Sequence, residues 1–128
     1  MSTPFTSQIT FFGTTDLERS HHFYTHVMGF RLEVDQTTCR IYHITDTMFI
    51  GICQRDEEIP ENHVIFTLIT EDVDGWAAKI TSRGGHVTIP PRYNEKYQIY
   101  QCFVHDPDGN TIEIQRFLHP FPQAHNST

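Results

Sequence analysis

"DPDGNTIEI" (106–114) is the stretch that decides the fold. Its first five residues are turn chemistry. Proline presets φ, glycine accepts a positive φ, and Asp and Asn side chains bond local backbone. The alternating residues that follow predict a strand with one carboxylate, Glu113, between Ile112 and Ile114. A charge there is a metal ligand, a base acting on a substrate, or a structural acid.

The rest of the chain repeats the pattern that ends in this strand. "SQITFFGTTD" (7–16) predicts a strand up to Gly13. Thr15-x-x-Glu18 fits a capping box that opens a helix ending near Met28-Gly29, with Leu17, His21, Tyr24 and Met28 on one stripe. Short strands are expected at 30–34, 40–44 and 48–53. After an acidic, Pro-broken linker (54–62) the order recurs. A strand spans 63–70, and a helix spans 71–85, closed by Gly84-Gly85. Strands follow at 86–89, ended by Pro90-Pro91, then at 97–106 and 110–117, before a loose tail (118–128).

The halves overlay in number. Asp16 matches Asp72 and Gly29 matches Gly85, both at an offset of 56 (72 − 16; 85 − 29). The last strands match at 62 (108 − 46), which places Gly51 where the second copy has Glu113. The 128 residues therefore predict one α+β domain. It consists of two βαβββ modules (7–53 and 63–117) in pseudo-symmetric repeat, forming a cupped mixed sheet with helices outside.

Composition narrows the functions. Nine basic and sixteen acidic residues give a formal charge of −7, which disfavours a nucleic-acid surface and first of all serves solubility. No apolar run is long enough for a membrane span, and Met1-Ser2-Thr3-Pro4 lacks the features of a secretion signal. Three cysteines (Cys39, Cys53, Cys102) cannot pair completely and form no CxxC, so a reducing cytoplasm is the simplest home.

The layout resembles the vicinal oxygen chelate superfamily of glyoxalase I, bleomycin-resistance proteins, fosfomycin-resistance enzymes and extradiol dioxygenases. The stretches 16–30, 71–85 and 106–114 carry the likeness, which covers about residues 7 to 117. It implies a cup whose metal, where present, is held by one ligand from the first and last strand of each module. Carried over, those positions are Ile9, Gly51, Ile65 and Glu113. Only Glu113 bears a ligand-type side chain, whereas a divalent site usually takes about three protein ligands. His63 shares the face of Ile65, and Gln115 that of Glu113; Gln8 neighbours Ile9 on the other face. No cofactor is expected, and any divalent metal would rest on Glu113 and His63.

Other candidates have plainer readings. His22 and His26 share a helical face without a HExxH carboxylate, and surface histidines explain them. His43 and His105 suit structural hydrogen bonds. The cysteines read as small buried hydrophobes, lacking an adjacent activating group. Arg40, Tyr42, Tyr93, Tyr97 and Tyr100 offer polar contacts, with packing as the default. Gly13 and Gly51 either open room for a ligand or mark bulges.

The expected pocket is Phe11, Gly13, Tyr42, Phe49, Gly51, Ile65 and Glu113, an apolar cup with one acid. It suits a small organic ligand, aromatic or cationic, as in the bleomycin-resistance branch. The alternatives are a glyoxalase-type, metal-dependent lyase or isomerase with Glu113 as ligand or catalytic base, and a non-catalytic dimeric interaction module. The resemblance also implies a homodimer, with modules paired within or between chains.

Overall fold

The computed structural model describes residues 4–122; residues 123–128 of the expected tail and the first three residues lie outside the described residues. Strand β1 (Gln8–Thr14) leads into helix α1 (Leu17–His22), whose last part widens into a π-helical stretch (Phe23–Val27). Strands β2 (Arg31–Asp35), β3 (Cys39–Thr45) and β4 (Met48–Gln54) complete module one. Module two repeats the order: β5 (Ile65–Ile69), α2 (Val73–Ser82), β6 (His86–Asn94), β7 (Ile99–His105) and β8 (Thr111–Phe117). Each module is a four-stranded mixed sheet. The orders are β1-β4-β3-β2 and β5-β8-β7-β6, with the first pair parallel in each and the other pairs antiparallel.

The repeat extends to single hydrogen bonds. The Asp16 amide donates to Thr14 Oγ1 at 3.1 Å, and the Asp72 amide to Thr70 Oγ1 at 3.2 Å. Each aspartate then caps its helix, Asp16 accepting from the Arg19 amide and Asp72 from the Gly75 amide. The first cap is therefore Asp16 rather than the expected Thr15. A carboxylate near a helix N-terminus satisfies an orphan donor and meets the positive end of the dipole. Glycine at 75 leaves room for this cap, because a Cβ there would displace the Asp72 carboxylate.

Strand β6 runs through Pro90 and Pro91, where the sequence predicts a stop at Ile89. It is the outer strand of its sheet, and its register shifts between Ile89 and Arg92. Edge strands and bulges are where a residue without an N–H is tolerated.

One core serves both modules. Phe12, Tyr42, Ile50 and Ile52 from sheet one join Cys102, Val104, Ile112 and Ile114 from sheet two. Tyr24, Val27, Met28, Val73 and Ile80 from the helices fill the space between. Phe12 and Phe66 meet edge to face at 6.2 Å. Each helix thus covers one side of its own sheet, and those two sides face one another. Burying an Ile or Val side chain fully contributes roughly 1.5–3 kcal/mol, so this shared core is the main tie between the modules.

The turn of "DPDGN" is the polar part of that tie. Asp106 Oδ1 accepts from the amides of Asp108 (3.0 Å) and Asn110 (2.8 Å). Its Oδ2 accepts from Tyr24 Oη at 2.6 Å and from Asn110 Nδ2 at 2.8 Å. Asp108 receives Arg19 Nη2 at 2.8 Å and Ser20 Oγ at 3.2 Å. Gly109 sits at φ +87, the left-handed region the turn needs.

Candidate functional site

With the helix sides turned inward, the opposite face of each sheet is open. Strand alternation assigns its residues. On sheet one the open face carries Ile9, Phe11 and Gly13 of β1 and Phe49, Gly51 and Cys53 of β4, because Phe12, Ile50 and Ile52 point into the core. On sheet two it carries Ile65, Thr67 and Ile69 of β5, Ile99, Gln101 and Phe103 of β7, and Thr111, Glu113, Gln115 and Phe117 of β8.

The sheet-two face forms a cleft of about 700 Å³. Ile65, Ile89, Ile99, Phe103 and Phe117 give it apolar walls, and Glu113, Gln115, Gln101, Asn94 and Arg92 give it a polar floor, with Tyr97 and His119 also lining it. Glu113 is only 8% exposed. Its Oε1 accepts from Thr67 Oγ1 at 2.8 Å, and its Oε2 accepts a short hydrogen bond from Gln101 Nε2. Gln101 is oriented in turn by Asn94, whose Nδ2 donates to Gln101 Oε1 at 2.9 Å. Both carboxylate oxygens are therefore already engaged by neutral donors of the same sheet, and Glu113 is not the lone acid its sequence context suggests.

The matching positions of module one hold different chemistry. Phe11 pairs with Gly51 in β1–β4, just as Thr67 pairs with Glu113 in β5–β8. A Cβ on Gly51 would collide with the Phe11 ring. Gly51 is thus neither ligand space nor a bulge, since the register there is regular. Gly13 is closed too: a Cβ would meet Ile59 Cδ1 at 3.0 Å and Arg55 Cγ at 3.1 Å, both from the expected linker.

Three further expectations need correction. Tyr42 is fully buried on the core side, stacked near Tyr24 at 6.1 Å, with its hydroxyl 2.8 Å from His21 Nδ1. Its even position on β3 turns it away from the open face. His63 precedes β5 and is exposed; Thr67, not His63, lies beside Glu113, four residues or about 13 Å further on. Cys39 and Cys53 are register partners in the β3–β4 hairpin with Cα atoms 4.1 Å apart, and they form a disulfide.

The remaining candidates keep plain roles. His22 and His26 stack at 4.8 Å on the exposed side of the first helical segment. His43 lies 2.9 Å from the Asp46 carbonyl. Arg40 pairs with Glu18, and Tyr100 donates to Asp74. Tyr93 packs on Tyr100 at 4.7 Å, and Gln8 donates to Thr10. Cys102 is buried in the core, and burial pushes its thiol up to about 11, so it is no nucleophile near neutral pH. Among the described residues no three His, Cys, Asp or Glu side chains converge as a metal-binding group.

Sequence reasoning passed over Arg92, Asn94, Gln101 and Thr67. Gln101 had a readable signal: a polar residue in phase with Ile99 and Phe103 inside an otherwise apolar strand. The disulfide had one as well, because 39 + 53 and 46 + 46 both equal 92, which sets the cysteines opposite each other about a turn at Asp46.

The described residues include no helix long and apolar enough to cross a membrane. A family model described as the Glyoxalase/Bleomycin resistance protein/Dioxygenase superfamily matches residues 8–114. Solved structures share the fold. A glyoxalase/bleomycin resistance protein/dioxygenase from Nocardioides is 17% identical, with a TM-score of 0.77 over 98% of this chain and 91% of that one. A family enzyme of the same description from Burkholderia phytofirmans is 20% identical, with a TM-score of 0.74 over 86% and 97%. TioX from Micromonospora is 21% identical, with a TM-score of 0.70 over 88% and 98%.

Proposed function

Since the chain belongs to the glyoxalase/bleomycin resistance protein/dioxygenase superfamily, we propose that it binds a small organic molecule on the open face of sheet two, without the metal used by other members. The observation that carries this is the state of Glu113. A divalent site takes about three protein ligands, whereas Glu113 has no ligand-type side chain beside it among the described residues and is held instead by neutral donors, Thr67 and Gln101. The three positions that correspond to it by resemblance are Ile9, Gly51 and Ile65, which offer no donor atom to a metal. The residues do not fit the ion. The same facts weigh against a metal-dependent lyase using Glu113.

The cleft is half of a cup, lined by module two and the segment after it. The outer strands β1 and β5 expose apolar residues on their open faces, with Phe11 52%, Ile65 55% and Ile69 51% exposed. A second copy that sets its module one against this module two closes the cup and covers those residues. The third reading, a dimer with an inert cup, is disfavoured by the cleft of about 700 Å³, which is within the range of ligand pockets. As for compartment, the cysteine count alone suits the cytoplasm, and the Cys39–Cys53 bond suits an oxidising one. The oxidation state in freshly isolated protein decides between them.

Elemental analysis of protein purified without chelator tests the metal reading, with sub-stoichiometric metal expected and no stabilisation by zinc, nickel, manganese or iron(II) in thermal unfolding. One equivalent of tightly held divalent ion would sink it. Sedimentation analysis is expected to show a dimer, and Ile65→Glu to shift it to monomer. A wild-type monomer at micromolar concentration would refute the shared cup.

A further inference from the structure

The register of sheet two arranges the cleft in cross-strand rows. Arg92 pairs with Gln101, and Gln101 pairs with Gln115. The next row holds Phe103 beside Glu113. Neighbouring strands lie about 4.8 Å apart, so Arg92 and Gln115 start about 10 Å apart in one row with Gln101 between them.

The two ends of that row are unanswered among the described residues. Gln115 is 9% exposed, and its buried Oε1 has no hydrogen-bond partner among the described residues. A buried, unsatisfied carbonyl costs about 1–3 kcal/mol. A cleft-lining residue that bears this cost is accounted for if a ligand supplies the donor. Arg92 is exposed at the cleft and takes part in none of the ion pairs among the described residues. The acid that would draw a cationic ligand, Glu113, is held by Thr67 and by a Gln101 amide that Asn94 orients.

We propose that the cleft takes a small organic carboxylate that also carries an N–H donor. The acid is held by Arg92, the N–H is turned to Gln115 Oε1, and the apolar body lies against Phe103 on one side of the row and Phe117 on the other. A guanidinium recognises a carboxylate through paired, charge-assisted hydrogen bonds, and the amide oxygen accepts the N–H that otherwise finds no partner. An N-acylated amino acid carries both groups, one carbon apart. This assignment rests on the reading of the open face as a ligand site.

The test is titration calorimetry on the wild-type protein with a matched panel. It comprises N-benzoyl amino acids with aliphatic and aromatic side chains, their neutral primary amides, their N-methylated acids, and the decarboxylated amines of the same bodies. The acids are expected to bind best. Arg92→Gln should weaken the acids about tenfold while leaving the amides unchanged, since a charge-assisted contact of that kind is worth about one decade in Kd. Gln115→Leu should weaken the N–H acids about tenfold and leave the N-methylated acids unchanged. The same variant should raise the melting temperature of the free protein by removing the unsatisfied oxygen, so lost affinity cannot be put down to misfolding. Equal or tighter binding of the amides or amines would overturn the assignment of Arg92 and Gln115 and leave a small-molecule site standing. No binding across the whole panel would overturn both.

Discussion

Thr67 Oγ1 donates to Glu113 Oε1 at 2.8 Å across the parallel β5–β8 pair, and the same two positions in module one are Phe11 and Gly51. One backbone pairing thus supports two chemistries. In module two a hydroxyl steadies a carboxylate. In module one a phenyl ring occupies the space that a side chain on Gly51 would take.

Gly51→Ala must push aside the Phe11 ring, which is half exposed and free to turn, so a loss of about 0.5–1 kcal/mol is expected, the low end of single-substitution effects. Phe11→Ala in the same chain should recover most of that loss. A double-mutant cycle by urea unfolding measures the coupling. Additive effects of the two changes would contradict the contact.

Removing the hydroxyl of Thr67 tests the hold on Glu113. Thr67→Val keeps the shape and takes away one donor, so a loss of about 1–2 kcal/mol is expected, toward the higher range for bonds to charged groups. Zinc is expected to stabilise neither Thr67→Val nor the wild type, because no further ligand stands beside Glu113 among the described residues.

Tyr24 and Cys102 predict an alkaline limit to stability. Burial, then the nearby Asp106 carboxylate, raises the Tyr24 hydroxyl well above its ordinary value of 10.0, and burial raises the Cys102 thiol from 9.0 to about 11. Both groups are held neutral in the folded protein, while the unfolded chain releases their protons at lower pH. Their contribution is fully present below pH 9. It is lost progressively above it, first through Cys102 between pH 9 and 11 and then through Tyr24 above pH 10. Unfolding curves from pH 7 to 11 should show the decline, and Tyr24→Phe should flatten its upper part. At pH 7 that variant should also lose about 1.5–3 kcal/mol, because its bond to Asp106 goes to a charged acceptor.

Reduction gives a fourth expectation. Cys39 and Cys53 are 14 residues apart in sequence, and closing a loop of that size stabilises by about 3 kcal/mol in the chain-entropy picture. Peptide mapping without reductant should recover 39 and 53 cross-linked and Cys102 as a free thiol. Cys39→Ser should lower the denaturation midpoint in the absence of reductant, and little in its presence.

The fold was legible because its signals are local or periodic. The turn at 106–110, the helix caps and the two matching offsets all lie in contiguous residues. The site was less so, because its decisive contacts join strands. Whether Glu113 is free depends on Gln101, and Gln101 on Asn94. None of these is visible until β6, β7 and β8 are in register. Tyr42 misled for the same reason: parity put it with Arg40, but only the assembled sheet tells which side is core. The cup of the resemblance was read as lying within reach of both modules, and the shared core turned the two open faces outward.

The clasp at Asp106 also bears on how the chain comes into being. Tyr24 is made 82 residues before the Asp106 carboxylate that receives its hydroxyl, and Ser20 is made 88 residues before Asp108. Until then the first helix presents an apolar flank whose covering sheet has not been translated. Module one is thus expected to engage a holdase as it emerges, and ribosome-bound chains stalled at Asn62 should recruit one more strongly than chains that carry both modules and have left the ribosome.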